Sequence, residues 1–208
     1  MMKHIDLMLQ QLEHLLTQSA LSQQTRVEVY NALSDLAYMV IGLEHPALNV
    51  KLIPRSMLKD NDYNPNNVAP PEYRLLKHSM KTDGVTMPVV VNQALGEEHC
   101  VIIDGYHRSQ LLKHDLDLQH SLASYVPVVI LNKREEERIA TSVRHNMARG
   151  THQVELTAQL VAKLKSMNVS DEEIGKEIGM DKEEVLRMQQ VLGLAELFKD
   201  RDFSCSWK

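Results

Sequence analysis

Cysteine is scarce in this sequence of 208 residues. The only two cysteines, Cys100 and Cys205, lie far apart and have no partner at the spacing of a metal site. Structural zinc sites take closely spaced Cys and His ligands, and disulfide frameworks need several paired cysteines. The sequence therefore predicts neither a zinc centre nor a disulfide-linked fold, and it favours a reducing compartment, the cytoplasm.

Long apolar runs and excess positive charge are also absent. No run approaches the ~20 residues that a membrane-spanning helix needs, and residues 1–6 do not resemble a secretory signal. The net charge is −5, and even the most basic segment, residues 47–150, holds 13 Lys and Arg against 12 Asp and Glu. We expect no membrane segment and no broad basic surface for nonspecific DNA binding.

Residues 1–46 have the apolar periodicity of two amphipathic helices, over 3–18 and 26–43. Thr25-x-x-Glu28 predicts a capping box at the start of the second helix. Together the helices predict an antiparallel helical hairpin. Its apolar faces are expected to pack on each other, on the rest of the protein, or on a second copy in a homodimer.

Residues 47–150 alternate short apolar strands with helices. Strands are predicted at 50–53, 88–92, 101–103 and 127–131, and helices at 70–82, 105–112 and 134–147. This alternation is typical of a mixed α/β layer. The segment is therefore predicted to fold as one mixed α/β domain.

The most informative stretch of that domain is a buried strand that runs through a glycine into a helix, Asp104-Gly105-Tyr106-His107-Arg108. Helix N-termini present unpaired amides that stabilise an anion. Gly105 lets a ligand approach the backbone, and Arg108 and His107 can donate to phosphate oxygens. Asp104 is a candidate to position a hydroxyl or a metal-bound water, with His107 as a second catalytic candidate. The alternative is an ordinary strand-to-helix turn with solvated polar residues.

A second polar group lies near the end of the last helix of this domain, where Gly150 follows it: His145, Asn146, Arg149, Thr151 and His152. Two histidines suggest a metal, although their spacing matches no zinc pattern. The alternative from the residues alone is a helix end whose basic residues favour its negative terminus.

Residues 151–208 predict a helix-turn-helix segment and a tail. A helix over 154–167 precedes Ser170-x-x-Glu173, which predicts a capping box. Small residues at 175 and 179 allow a close approach and a turn. The candidate DNA-contacting side chains are Lys182, Arg187, Gln189 and Gln190. Because carboxylates begin the would-be recognition helix, a structural or protein-docking unit is the alternative.

Five boxes in the same order resemble the ParB/sulfiredoxin superfamily. Asp104 to Arg108 resembles the Gly-x-x-Arg box of ParB N-terminal domains and the Asp-Gly-His-His-Arg of free serine kinases. The other four are Asn64-Pro65, the helix–glycine–proline–strand unit ending at Val91, Val126-Pro127-Val128-Val129, and Arg144-His145-Asn146-Met147-Ala148-Arg149. The resemblance covers about residues 50–192.

This resemblance implies a bound nucleoside triphosphate, ATP or CTP, with Mg²⁺. It implies phosphate or nucleotide contacts from Asn64, Gly105 to Arg108, Asn146 and Arg149, and metal contacts from Asn146 and His145. His145 stands where ParB has a glutamate, and Tyr106 stands where sulfiredoxin has its cysteine, which excludes that thiol chemistry.

The boxes together with the helix-turn-helix resemble the ParB-like co-regulators of the immunoglobulin-binding regulator B type. That group implies mobile elements and a phosphoadenosine-phosphosulfate-reductase-like partner. The leading interpretation is a nucleotide-binding regulatory protein that acts on DNA, in transcriptional regulation, or on such a partner. The second is a hydrolase, phosphotransferase or nuclease that uses Asp104, His107 and Arg108. The third is an assembly module without a ligand.

Overall fold

The computed structural model describes residues 1–61, 69–94, 96–147 and 154–198. The chain divides into two compact units, residues 1–52 and residues 53–208. The division predicted from the sequence, at residues 46 and 150, stays a prediction. Within the described ranges no helix is long and apolar enough to cross a membrane.

The first unit consists mainly of two helices, α1 (Met2–Gln18) and α2 (Gln23–Ile41). Helix α1 buries no side chain, and α2 buries only Val27. Helix α2 ends at Gly42, whose φ of +63° is left-handed, a common way for a helix to end at glycine. Asn31 holds the chain that follows, because its side-chain amide donates to the Leu52 carbonyl (2.9 Å) and accepts from the Leu52 amide (2.8 Å).

The start of α2 corrects one prediction. The N-cap is Ser22, whose hydroxyl accepts from the Thr25 amide at 3.1 Å, so the helix begins three residues before the predicted start. Thr25 lies inside the first turn, and Glu28 accepts from the Gln24 side chain instead of closing a capping box. Ser22 and Thr25 are both residues that favour an N-cap. Ser22 takes that position, so the helix is three residues longer at its start than predicted.

Strand β1 (Val50–Pro54) spans the junction between the units. The described residues of the second unit form four further strands: β2 (Leu58–Lys59), β3 (Val89–Asn92), β4 (Cys100–Asp104) and β5 (Tyr125–Leu131). Their order is β5-β3-β4-β2. Strand β3 is antiparallel to β4 and parallel to β5, and β2 is parallel to β4. The predicted mixed α/β class is confirmed.

One apolar core lies between this sheet and three helices: α3 (Pro70–Thr82), α4 (Tyr106–His114) and α5 (Leu116–Ser121). It contains Val91 and Ile102 from the central strands, together with Met80, Leu112 and Leu118 from the helices. Alternate residues of a strand face opposite sides of a sheet, so Ile103 is turned away from this core. The next helix in the chain therefore packs on the opposite side.

That next helix is α6 (Glu135–Met147), which contacts β4 and also the first two of the three helices that follow it. These are α7 (Val154–Ser166), α8 (Asp171–Ile178) and α9 (Lys182–Phe198). A second apolar core joins them, with Ile139 and Val143 of α6 among its members. Helix α6 thus belongs both to the α/β layer and to the C-terminal helical bundle.

The turn between α8 and α9 has the geometry that its glycines predicted. Ser170 and Glu173 form a reciprocal capping box, and Gly179 has a left-handed φ of +72°. A Cβ at Gly175 would lie 2.5 Å from the Met180 carbonyl oxygen, a separation that no side chain tolerates. Only glycine allows the two helices to approach this closely.

Candidate functional site

The predicted phosphate corner lies where β4 ends and α4 begins. Gly105 is the N-cap of α4, with a φ of +90°. Its amide donates to Asp104 Oδ1 at 2.7 Å. Because the left-handed conformation is readily adopted by glycine alone, the sequence can make this sharp turn only at that position.

Arg108 lies directly over Gly105. A Cβ at Gly105 would be 2.9 Å from Arg108 Nη2, so the guanidinium occupies the space that glycine leaves open. Arg108 Nη1 donates to the carbonyls of Met87 (2.6 Å) and Pro88 (2.8 Å), and Nη2 lies 3.8 Å from Asp104 Oδ2. Only 14% of the side chain is exposed. The cation is therefore fixed at the corner by neighbouring carbonyls.

His107 lies among aromatic rings. Its imidazole makes edge-to-face contacts with Tyr106, at 5.4 Å between ring centroids, and with Tyr73 of α3, at 6.3 Å. Such contacts restrict the orientation of the ring. His107 is thus held by the first turn of α4 and by α3.

Helix α6 brings a second histidine to the corner. Ser142 Oγ donates to the Ile103 carbonyl at 2.9 Å in a buried hydrogen bond, which holds α6 against the end of β4. One turn further on, His145 Nδ1 lies 3.8 Å from Asp104 Oδ2. The structure therefore brings together Asp104, Arg108 and His145, although the sequence had placed the histidine in a separate group.

Several predicted contacts lie outside the described residues. Asn64, Arg149, Thr151 and His152 fall in the undescribed ranges, and the side chain of Asn146 is not described. Among the described residues, no three His, Cys, Asp or Glu side chains form a group that could hold a metal ion. Asp104 does supply one carboxylate, and Mg²⁺ is commonly held by one or two carboxylates together with substrate phosphates.

The predicted DNA-contacting residues on α9 differ in their surroundings. Lys182 and Gln190 are exposed, and Arg187 is exposed with its guanidinium 3.8 Å from Glu183. Gln189 instead donates to Asp171 Oδ1 at 2.8 Å, so it helps to join α9 to α8.

The carboxylates at the start of α9 have a structural role. Asp181 Oδ1 accepts from the Glu184 amide at 2.8 Å, and Glu184 Oε2 accepts from the Asp181 amide at 2.9 Å. Reciprocal bonds of this kind satisfy the free amides of a first helical turn. The acidic residues whose charge disfavours DNA binding therefore stabilise the helix that would bind it.

Sequence reasoning missed three features of the corner: the carbonyls of Met87 and Pro88, Tyr73, and Ser142. Each reaches the corner only through the tertiary fold. One local signal pointed to part of this arrangement. Pro88, in the helix–glycine–proline–strand unit, indicates where the chain enters the sheet at β3.

Comparison with known proteins relates nearly the whole chain to one relative. The chain is 41% identical over 205 residues to the uncharacterized protein YbdM of Escherichia coli (strain K12), an alignment that covers 97% of this chain and 98% of that protein. Residues 152–200 match the family model of the IbrB-like C-terminal HTH domain. The predicted helix-turn-helix and the relationship to the immunoglobulin-binding regulator B type are confirmed.

Solved structures of ParB proteins are similar to this chain. The C-terminally truncated ParB of Caulobacter crescentus, complexed to the centromeric parS site, matches 71% of this chain and 76% of its own, with 17% identity and a TM-score of 0.45. A Pnob8-like ParB-N domain matches 73% of each chain, with 13% identity and a TM-score of 0.47. A free serine kinase in complex with AMP matches 42% of this chain and 33% of its own, with 20% identity and a TM-score of 0.30. These likenesses concern the fold and extend to no ligand.

The contact between Gly105 and Arg108 predicts a non-additive pair of substitutions. Gly105→Ala should lower the free energy of unfolding by about 1–3 kcal/mol, because φ is left-handed and the new methyl group meets the guanidinium. In an Arg108→Ala background the same change should cost less, by about 0.5 kcal/mol or more, because only the backbone strain remains. Urea denaturation of the four proteins measures both values.

Gly84→Ala is the matched control. Gly84 has a φ of +77°, and no atom lies within 4 Å of the place that its new methyl group would take, so its cost should be the same in both backgrounds. Equal costs of Gly105→Ala with and without Arg108 would show that the guanidinium does not occupy the space over the glycine.

Proposed function

Since this chain belongs to the family of E. coli YbdM and carries an IbrB-like C-terminal helix-turn-helix domain, we propose that it is a nucleotide-binding regulatory protein. In this proposal the α/β layer binds a nucleoside triphosphate at the Asp104–Arg108 corner. The C-terminal bundle then acts on DNA or on a partner protein.

The observation that carries the nucleotide proposal is the arrangement of Gly105 and Arg108 at the N-terminus of α4. An anion at a helix N-terminus meets unpaired amides and a partial positive charge. The glycine leaves room for the largely buried Arg108 guanidinium, which is held beside these amides. A cation that is already positioned loses little conformational entropy when a phosphate binds.

Helix α6 supports the proposal because it reaches both parts of the protein. Ser142 and His145 face the corner, while Arg144 donates to the Glu177 carbonyl of α8 at 3.0 Å and forms an ion pair with the Glu177 carboxylate. A ligand that shifts α6 would therefore shift the helix-turn-helix. The side chains of α6 therefore connect the proposed nucleotide site physically to the C-terminal bundle.

Magnesium fits the proposal through the chemistry of its ligands. Mg²⁺ prefers oxygen ligands and retains several waters, so a triphosphate and the Asp104 carboxylate would supply most of what it needs. An imidazole nitrogen is a poorer ligand for this ion, which leaves His145 closer to a phosphate or to a bound water. The proposed contact from Asn146 is of the same oxygen type.

A nucleoside triphosphate should raise the melting temperature of the protein. At a hundredfold excess over its dissociation constant, a ligand adds about 2.7 kcal/mol of stability. For a chain of this size that corresponds to a rise of about 5–10 °C. Thermal denaturation with ATP, CTP, ADP and GTP, each with and without magnesium, should show the rise for ATP or CTP and identify the base.

Arg108→Ala should abolish most of that rise, and Arg187→Ala, an exposed arginine of α9, should retain it. Each variant is compared with its own melting temperature without ligand, so a loss of stability does not imitate a loss of binding. An undiminished rise in melting temperature in Arg108→Ala would show that the Asp104–Arg108 corner is not the phosphate site. Phosphate release that disappears in Asp104→Ala would support the hydrolase alternative.

The DNA proposal rests on the exposed cations of α9. Lys182→Ala and Arg187→Ala together should weaken binding to a labelled mixed-sequence duplex. They should also lower the slope of log affinity against log salt by about 1 for each phosphate contact that is lost. Fluorescence anisotropy over a salt series measures both quantities.

Arg108→Ala without nucleotide is the control for this experiment and should bind DNA like the parent protein. Gln189→Ala should affect stability more than DNA binding, because its amide is engaged with Asp171. Unchanged affinity and salt slope in the double variant would mean that the helix-turn-helix does not contact DNA, and would favour protein docking.

The proposal includes a homodimer formed through the N-terminal helices. Eleven aliphatic side chains of α1 and α2 are 38–75% exposed: Met2, Ile5, Leu7, Met8, Leu9, Leu15, Leu33, Leu36, Met39, Val40 and Ile41. Together they present on the order of 500 Å² of apolar surface, at roughly 60–120 Å² for each fully exposed side chain. A standard interface takes about 800 Å² from each partner, of which rather more than half is apolar.

Light scattering should give a mass of twice the 23.8 kDa chain, and Leu9→Asp should give a single chain, because a buried carboxylate opposes association. Lys3→Asp, on the same helix, is the control. A single-chain mass for the parent protein would remove the dimer from the proposal.

The biological setting remains a prediction of the resemblance. A phosphoadenosine-phosphosulfate-reductase-like partner, transcriptional regulation, mobile elements and a cytoplasmic location are all proposed on that basis.

A further inference from the structure

A second cavity, of about 340 Å³, lies at the other end of helix α6. Strands β2, β3 and β4, the loop before α6, and helices α6 and α7 line it. None of its lining residues belongs to the Asp104–Arg108 corner. Arg138 lines the cavity and His145 faces the corner, and seven helical residues separate them by about 10 Å.

The basic side chains of the cavity come from four separate parts of the fold: Lys59, Lys133, Arg138 and Lys163. Convergence of several cations from different elements is not explained by the periodicity of any single helix. Two acidic residues oppose them: Glu135 Oε1 lies 3.6 Å from Arg138 Nη2, while Glu97 has no such pairing among the described residues, and both carboxylates are largely exposed. Their charges are therefore well solvated and weaken the positive potential of the interior only partly.

Two other charged residues of the lining are already compensated. Asp60 accepts from Lys113 at 2.6 Å, and Arg134 is 3.0 Å from both Glu136 and Glu137. Neither contributes much net charge to the cavity. Among the other lining residues, the basic side chains outnumber the acidic ones by four to two.

Two buried polar atoms at the cavity lack a hydrogen-bond partner within the described structure. They are Arg138 Nε, a donor, and Asn61 Oδ1, an acceptor. A buried polar atom without a partner is destabilising, because it has lost its hydrogen bonds to water. A ligand that accepts from Arg138 and donates to Asn61 would remove both costs.

The cavity is also preorganised. Asn92, which is 1% exposed, donates to the Lys133 carbonyl at 3.0 Å and accepts from the Lys133 amide at 2.8 Å. This pair of bonds fixes the backbone from which Lys133 projects. Asn61 is fixed in the same way, because its amide donates to the Ile102 carbonyl at 2.8 Å.

We propose that this cavity binds a small phosphate ester that also carries a hydroxyl group. The phosphate would accept from Arg138 Nε among the surrounding lysines, and the hydroxyl would donate to Asn61 Oδ1. Pockets for small ligands begin at about 300 Å³, so the volume suits a sugar phosphate better than a larger cofactor. This site is independent of the nucleotide proposed at the corner.

The test uses the full chain with Arg108→Ala, which removes the arginine proposed to bind phosphate at the Asp104–Arg108 corner. Ribose 5-phosphate is the probe, and uncharged ribose is the control for the sugar alone. Calorimetric titration should show binding of ribose 5-phosphate and at least tenfold weaker binding of ribose. Adding Arg138→Ala should weaken ribose 5-phosphate at least tenfold.

Lys59→Glu provides a second variant that does not disturb the core, since Lys59 is exposed on an edge strand. It should weaken binding severalfold, and Lys176→Glu, the same change at an exposed lysine of α8, should leave it unchanged. No binding of ribose 5-phosphate up to about 10 mM, where a site with a dissociation constant of about 1 mM would be about nine-tenths filled, would overturn the proposal. Equal binding of ribose, or unchanged affinity in both variants, would overturn it as well.

The two proposals fail separately. If the corner is not a nucleotide site, the nucleotide-induced rise in melting temperature is absent while ribose 5-phosphate still responds to Arg138→Ala. If the cavity is not a phosphate-ester site, the nucleotide response persists and Arg138→Ala leaves it intact.

Discussion

The hydrogen bond between Ser142 Oγ and the Ile103 carbonyl fixes helix α6 against the end of β4. It is buried, and a buried carbonyl without a partner would be costly. Together with the packing of α6 on β4, this contact positions a helix that is stiff along its axis. His145 then lies near Asp104 at one end, Arg138 lines the second cavity at the other, and Arg144 contacts the C-terminal bundle.

The two proposed binding regions differ in how their charges are stabilised. At the corner, Arg108 is largely buried, and two carbonyls and the Asp104 carboxylate surround it. Such a cation is compensated before any ligand binds, so an arriving phosphate competes with existing contacts and gains from their fixed geometry. In the second cavity, basic side chains from several elements line the empty space. Two buried atoms there, Arg138 Nε and Asn61 Oδ1, have no hydrogen-bond partner in the described structure. There a ligand supplies interactions that the folded chain lacks.

Sequence patterns predicted the local features and missed those that depend on pairing between distant segments. A few adjacent residues determine each of three local features, and each forms as expected. These are the turn at Gly105, the Ser170 capping box and the glycines around the α8–α9 turn. The two-residue strand β2 was missed because it exists only through its register with Cys100 and Val101 of β4. The proximity of His145 to Asp104 has no local signal either, and only the family resemblance implied that both lie at one nucleotide. At Ser22 the failure was local, because two cap signals overlapped and propensity does not decide between them.

The start of α9 shows how a structural requirement limits a function. Asp181 and Glu184 cap the helix reciprocally, and losing such a cap costs about 1 kcal/mol. The same carboxylates would lie near DNA phosphates if α9 entered a groove, and each repulsion would be of similar size at low salt. With only Lys182 and Arg187 to oppose them, phosphate contacts alone would give weak binding. Any tight complex with DNA must therefore gain its affinity from base contacts, from a second copy of the chain, or from a partner that covers these carboxylates.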